Sequence, residues 1–444
     1  MTQTISNTSD VTRLLARVST RLLPFLLILY VISYLDRINL SFAALQMQGD
    51  LRLTDENFGF GSGIFFFGYC AFGIPSNLAI ERFGPRRWIS SIMVAWGLVT
   101  LAMCLVGDQN SFYALRLLLG IAEAGFFPGM LLYLTRWFPP AQYGLAVARF
   151  MIAIPLAGVV GSLIAAPTLS LAGFLGLAGW KWLFLLTGMP AIIFGVLTFF
   201  LLADRPSEAK WLSREEGLTI EKLTACKNYD NVPGADPPAP VAEADSSILA
   251  AFSSVRVWRF ALLYFSMAVC MYGFQLWLPQ IIKSFGHLSD SQSALLSAIP
   301  AVFQGLGMYF VAGSSDRRNE RRLHVVASAV ITITGLLAAC FFDASWVRLL
   351  GVSLAAFGIW GSVGPFWALT RSCLKTSAQP AGIAFINSVG GLGGFFGPYF
   401  VGLVKTLVPN LNGANSSFAG ALVLLSAAAL LTIILALTSP RPQS

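Results

Sequence analysis

Charge is scarce in this sequence. Asp, Glu, Lys and Arg make up 11% of its 444 residues, against about 25% in soluble proteins. There are two His and six Cys. Cys70, Cys104, Cys226, Cys270, Cys340 and Cys373 form no CxxC pair, and most lie in apolar segments. They read as small core residues, not as a disulfide framework or a metal site. His287 and His324 stand near span ends, with no HExxH, Cys/His cluster or Ser-His-Asp constellation around them. An enzyme, a metal and a cofactor are therefore not expected. A cleavable signal peptide is not expected either. The first apolar segment is too long and lacks a small-residue cleavage site.

What is abundant is apolar sequence. The chain is 56% hydrophobic, with a mean hydropathy of +0.71. Runs long enough to cross a bilayer recur with short breaks. Spans are expected near 22–46, 57–80, 88–107, 112–135, 142–166 and 181–203, then near 258–282, 291–313, 324–342, 346–370, 380–407 and 417–438. The expected fold is an all-α polytopic membrane protein of twelve transmembrane helices in two six-helix bundles. The bundles would occupy residues 1–203 and 257–444, joined by a linker over 204–256. Within the linker, Ser213-Arg214-Glu215-Glu216 has capping-box spacing and predicts a short surface helix. Residues 233–245, rich in Pro and Ala, predict a flexible connector.

Basic residues set the orientation. Of the 29 Lys and Arg, 22 fall on the side of the termini and linker and five on the other side; Arg37 and Arg116 remain inside the membrane. Both termini are therefore expected in the cytoplasm, in a multi-pass inner-membrane protein. The same bias accounts for the net charge of +8 without a nucleic-acid partner. An internal repeat supports six plus six. Glu81-Arg82-Phe83-Gly84-Pro85-Arg86-Arg87 follows span two, and Asp316-Arg317-Arg318-Asn319-Glu320-Arg321-Arg322 follows span eight. Each is an acid-Arg pair followed by two further Arg. Glu81, Arg82, Arg86, Asp316 and Arg317 are expected to govern conformational change, since these turns lie away from the bilayer midplane.

The chain is organised around Tyr34-Leu35-Asp36-Arg37-Ile38-Asn39-Leu40-Ser41. A carboxylate and a guanidinium lie at membrane depth, where each costs about 2.5–3.5 kcal/mol even on the mild insertion scale. Span four adds Arg116 and Glu123, seven residues apart and so on one helix face. This face predicts a second charge pair. The four charges could simply tie spans one and four together. Buried pairs stabilise poorly, however, and intramembrane charges usually mark substrate or proton paths. Asp36 and Glu123 are the proton candidates. Desolvation favours the neutral acid and a nearby Arg favours the anion, so moving the Arg changes proton occupancy. Arg37 suits a substrate carboxylate, because its planar fork binds bidentately. Tyr30, Tyr34, Arg37 and Ser41 share a stripe on span one, with Tyr30 read as an interior aromatic. Tyr272 and Gln275 share a face of span seven. Gln304 reads as a helix–helix hydrogen bond. The run Gly390, Gly391, Gly393, Gly394, Gly397 before Pro398 reads as close packing and bending, not a nucleotide loop.

These residues together resemble the major facilitator superfamily over nearly the whole chain. Within it the chain resembles the anion:cation symporters, which include hexuronate, galactonate, tartrate and aromatic-acid permeases and sialin-type carriers. The resemblance rests on Tyr34 to Asn39, on Glu81 to Arg87, and on Arg116 with Glu123-Ala124-Gly125-Phe126-Phe127-Pro128-Gly129. It also rests on Ser315-Asp316-Arg317, on Glu320-Arg321-Arg322-Leu323-His324, and on Ile386-Asn387-Ser388. Gly364-Pro365-Phe366-Trp367-Ala368-Leu369 is most similar to the bacterial tartrate and aromatic-acid branch. The chain departs from the pattern at Gly391, where Asn is usual, and at Asn77, where Gly is usual. The resemblance implies a proton-coupled symporter, acting as a monomer, that imports a small organic carboxylate. It implies protons on Asp36 and Glu123, the anion on Arg37, and Asn387, Trp367 and Tyr69 at the substrate. An organic anion antiporter, exchanger or efflux carrier is the alternative. Span five, Ile154-Pro155-Leu156-Ala157-Gly158, lacks the Gly-Pro motif usual in drug antiporters. A receptor would need a signalling domain larger than the linker.

Overall fold

The computed structural model describes residues 8–225, 254–374, 379–408 and 418–439. The connector expected over 233–245 lies outside the described residues, as do Cys226, Lys375 and Arg441. Among the described residues the regular structure is helical throughout.

The twelve spans follow the hydropathy pattern. Span one is Thr8–Asp50, span two Asp55–Phe83 and span three Pro85–Ala102. Spans four to six are Gln109–Trp137, Pro140–Leu169 and Gly179–Leu201. Spans seven to ten are Val255–Lys283, Asp290–Arg318, Arg322–Phe341 and Ser345–Cys373. Span eleven is Gln379–Gly391 continued by Gly393–Leu407, and span twelve is Ala419–Thr438. Ten of these are long and apolar enough to cross a membrane on that ground alone. In span eleven the dense glycines lower the hydropathy. Large apolar side chains such as Leu105, Phe200 and Phe341 stay exposed on the outside of the bundle, as a lipid-facing surface requires.

Local chemistry sets the helix ends. Thr54 caps span two, its hydroxyl accepting from Asn57 N–H at 3.1 Å. Asp108 and Ser111 form a capping box at the start of span four. Span three starts at Pro85, directly after Gly84 at φ +82°. A side chain at position 84 would be strained and would meet the Asp204 carboxylate.

Five spans are jointed. Their regular α-helix is interrupted at Ala124–Gly125, Ile152, Ser297, Ser362 and Leu392. In the first four a proline follows three or four residues on: Pro128, Pro155, Pro300 and Pro365. Its ring crowds the preceding turn and it donates no backbone hydrogen bond. In span eleven the joint lies among Gly390, Gly391, Gly393 and Gly394.

Glycine also lets helices touch. A Cβ on Gly351 in span ten would lie 2.8 Å from Ala339 N in span nine, and one on Gly188 in span six would lie 3.1 Å from Gly97 O in span three. Without a hydrophobic drive between helices in lipid, such close backbone approach supplies the packing.

The two bundles meet at the end remote from the termini and linker. There Lys405 Nζ lies 2.9 Å from Asp55 and Gln46 donates to Asp290 at 3.2 Å. The Ser170 and Ser291 hydroxyls are 2.7 Å apart. At the terminus end, the helix Arg214–Ala225 docks on the first bundle. Its capping box is complete: Ser213 N–H donates to Glu216 at 2.9 Å, and Glu216 N–H to the Ser213 hydroxyl at 3.1 Å. Arg17 pairs with Glu216, and Trp211 stacks on Trp137 at 5.7 Å. Burial pushes the Glu216 carboxyl up, but hydrogen bonds from Ser213 and the pairing with Arg17 outweigh it. The net result is a carboxyl held below its ordinary range.

Candidate functional site

Asp36 and Arg37 are neighbours in sequence but point about 100° apart around span one. Asp36 is fully buried and faces span three. The Thr100 hydroxyl lies 2.7 Å from both of its oxygens, and Asn39 donates to it at 3.1 Å. Asn39 is itself fixed to the Thr187 hydroxyl of span six at 2.8 Å. Arg37 faces spans two and four. It pairs with Glu123 at 3.0 Å and sits over the rings of Tyr69 and Phe65, at 5.0 and 5.4 Å. The Asp36 and Glu123 carboxyls are within hydrogen-bonding reach of each other.

Glu123 and Arg116 do share a buried face of span four. The expected pairing between them is corrected by the structure: the partner of Glu123 is Arg37. Arg116 instead donates to the Gly61 and Ser62 carbonyls of span two, at 3.4 and 3.3 Å. Span two passes so close to span four that its backbone oxygens reach the guanidinium first. Phe65 lies between the two arginines, 4.9 Å from Arg116. Among the described residues, four buried polar side-chain atoms here have no hydrogen-bond partner: Arg37 Nε, Asn39 Oδ1, Ser62 Oγ and Glu123 Oε1. In a buried site such atoms are open to a ligand or to water.

The second bundle closes the site. The Tyr34 hydroxyl donates to Gln275 Oε1 at 2.9 Å, joining span one to span seven. The Tyr272 ring lies 4.4 Å from Phe66 of span two. The Tyr69 and Tyr272 hydroxyls are both within reach of Arg37. Arg37, Ile38, Phe66, Arg116, Tyr272, Gln275 and Leu276 line one narrow cavity.

Two of the expected substrate residues lie apart from it. Trp367 packs on Tyr264 and Phe366, each at 5.0 Å. The tryptophan beside Tyr34 is Trp360, edge-on at 6.3 Å. Asn387 is exposed on span eleven and does not line the cavity. Tyr30 stacks on Phe150 at 4.5 Å, and the Ser41 hydroxyl turns back to the Ile38 carbonyl. Gln304 is buried, and its amide nitrogen has no partner among the described residues. Sequence reasoning did not single out Phe65, Phe66, Thr100 or Trp360. A lone threonine or phenylalanine in an apolar run carries no signal of what it faces.

The repeated basic turns are closed in different ways. In the first, Arg86 N–H donates to Asp204 at 2.9 Å, and its guanidinium lies 3.6 Å from the same carboxylate. Arg82 lies over Phe83 at 5.6 Å, and Glu81 is exposed. In the second, Asp316 pairs with Arg321 at 2.5 Å, while Arg317 is exposed. Glu320 caps the next helix through Leu323 N–H at 2.7 Å and also meets His324 Nδ1 at 2.9 Å. Burial pushes Glu320 up, but these bonds hold its carboxyl below the ordinary range.

Comparison with known proteins agrees with this architecture. The family description of the Major Facilitator Superfamily matches residues 26–398. The chain is 42% identical to a protein of Agrobacterium vitis named "Putative tartrate transporter", over 97% of this chain and 96% of that one. It is 38% identical to a "Quinolone resistance transporter" of Acinetobacter baumannii, over 89% of each chain. A bacterial homologue of the human lysosomal transporter Spinster, solved in an inward-facing unoccupied conformation, shares the fold. Its TM-score is 0.74 at 16% identity, over 94% of this chain and 95% of that one. The protein is a transporter, and the chain belongs to the Major Facilitator Superfamily.

Proposed function

We propose that this protein imports a small organic carboxylate together with protons, by alternating access, across a bacterial cytoplasmic membrane. One observation carries the reading: Arg37 on the cavity wall is paired with Glu123, which in turn contacts Asp36. With both acids ionised, the two acids and two arginines of the site sum to zero. One proton on the acid pair leaves a net positive charge beside the cavity, which favours a carboxylate. A carboxylate on Arg37 competes with Glu123 for the guanidinium, which favours the proton. Each ligand thus promotes the other, as coupled transport requires. Asp36 serves as a second proton site. Arg37 holds the anion, with Tyr34, Tyr69, Tyr272 and Gln275 around it. Arg116 is a fixed positive charge that balances the acids.

The Lys and Arg bias puts the termini and linker in the cytoplasm. The contacts between Asp55 and Lys405 and between Gln46 and Asp290 then seal the outer face, and the site opens inward. Residues 1–203 and 257–444 move as the two halves. The cavity is built from one chain, so a monomer suffices.

Glu123→Gln tests the reading. Gln mimics the protonated acid and cannot release a proton. In liposomes the variant should bind substrate and exchange labelled for unlabelled substrate, while losing uptake driven by a pH gradient. A variant that still concentrates substrate at the normal proton stoichiometry would refute the assignment. A second reading, proton-driven export, is favoured by the relative named for quinolone resistance. It predicts substrate movement against the proton flow, which the same liposomes distinguish by reversing the gradient.

A further inference from the structure

Seven threonines are buried among the described residues. In Thr168, Thr187, Thr198, Thr332, Thr370 and Thr432 the hydroxyl donates to the carbonyl four residues back, at 2.6–3.1 Å. That bond is open to any threonine on a helix and satisfies the hydroxyl without help from a neighbour. Thr100 of span three is the exception. Its hydroxyl is directed at Asp36, 2.7 Å from both carboxylate oxygens. A charged acceptor outcompetes a helix carbonyl. We infer that Thr100 is a positioning residue for the proton step: its hydroxyl donates to the ionised Asp36 and accepts from the protonated one. Asp36 thereby loads and unloads its proton without leaving its place. The inference rests on the reading of Asp36 as a proton site and deepens it.

Three observations carry it. First, Thr100 and Asp36 are both fully buried, so solvent does not replace a hydrogen bond lost between them. Second, the neutral partners of Asp36 differ in what they can do. Asn39 meets it through the amide nitrogen, at 3.1 Å, and that nitrogen only donates. A hydroxyl has one hydrogen to give and lone pairs to receive with, so of the two only Thr100 suits both states of the acid. Third, the helices that hold this network are not jointed: spans one, three and six run uninterrupted. A Cβ on Gly97, less than a turn before Thr100, would lie 3.0 Å from the Gly188 carbonyl of span six. The adjacent Thr187 fixes Asn39 at 2.8 Å. The charged groups that face Asp36 from other spans are Glu123 and Arg116, both of span four. Span five packs Gly161 against Leu35 and Ile38, and Tyr69 of span two and Tyr272 of span seven face Arg37. Glu123 immediately precedes the joint in span four, so it can part from Asp36 while Thr100 stays.

The test is a pH titration of the full-length protein in lipid nanodiscs by infrared difference spectroscopy, with no substrate added. A protonated carboxyl absorbs apart from carboxylate and amide groups, and the band lost in Asp36→Asn belongs to Asp36. Thr100→Val keeps the branched shape and removes the hydroxyl. It should raise the titration midpoint of the Asp36 band by about one pH unit, because the anion loses a charge-assisted hydrogen bond. It should also move the band toward the frequency of a free acid. Thr100→Ser should restore both. Packing alone predicts the opposite order, since valine keeps both branches as methyls and serine loses one. A midpoint and frequency unchanged in Thr100→Val would overturn the inference, as would values nearer wild type in Thr100→Val than in Thr100→Ser. In either case a titrating Asp36 band would leave the proton reading standing. An Asp36→Asn protein that loses no titrating band would remove the second proton site, and this inference with it. If neither Thr100 variant folds, the wild-type band decides: a hydrogen-bonded frequency for Asp36 supports the inference, and a free-acid frequency overturns it.

Discussion

Arg37→Lys isolates what the guanidinium contributes beyond its charge. In the structure Arg37 uses one terminal nitrogen on Glu123 at 3.0 Å, while its Nε is buried with no hydrogen-bond partner among the described residues. A substrate carboxylate can take that Nε–H and a neighbouring N–H together as a fork. Lysine keeps the positive charge but offers a single point donor, and it loses the stacking over Tyr69 and Phe65. Losing one charge-assisted hydrogen bond costs about 1.5–3 kcal/mol. At 1.4 kcal/mol per decade, this weakens binding by about ten- to a hundredfold. The assay is equilibrium binding of whichever carboxylate the wild-type protein accumulates most in counterflow. Thermal stability measured alongside shows whether the variant folds. Affinity within threefold of wild type, in a folded variant, would refute the anchoring role.

Asp316→Asn removes the charge from an exposed pair with Arg321; transport should slow while substrate affinity stays within about twofold, because exposed pairs contribute little to stability. A changed substrate preference would count against a purely conformational role. The Arg17–Glu216 pair predicts an acid transition. Glu216 has a folded-state value below its ordinary 4.5, so its contribution is complete above that pH and is lost as pH falls through the lower folded value. Tryptophan fluorescence of the Trp137–Trp211 stack should report the loss, and Glu216→Gln should abolish that pH dependence. In Gly120→Ala the new methyl would run into the Phe65 carbonyl. The variant should lose about 1–3 kcal/mol through overpacking, read as a fall in unfolding temperature, and an unchanged temperature would show that spans two and four separate freely.

Much of this was legible in the chain itself. The spans followed from apolar length, and the linker helix followed from Ser213 and Glu216 at capping-box spacing, which form both expected bonds. Asp36, Arg37, Arg116 and Glu123 stood out because charge at membrane depth is costly. Their pairing did not. Spacing along one helix places Arg116 and Glu123 on a common face, but it cannot say which neighbour that face meets. The answer depended on Gly68 and Gly120, which bring spans two and four close enough for backbone carbonyls to take Arg116. Trp367 and Trp360 illustrate the same limit. Seven residues apart, they straddle the joint at Ser362, and only the fold decides which of them reaches Tyr34.

The joints have a mechanical consequence. They recur in spans four and five of the first half and in spans eight, ten and eleven of the second, so each bundle contains compliant members among stiffer ones. Span one, which carries Asp36 and Arg37, has no such interruption around them, while Glu123 is the last residue before the joint in span four. Bending span four therefore alters the distance between Glu123 and Arg37 directly, and the angle at Gly125 becomes a lever on charge separation. Under the proposed proton–anion coupling, a bilayer whose thickness opposes that bend should slow proton release and anion release together, by one common factor.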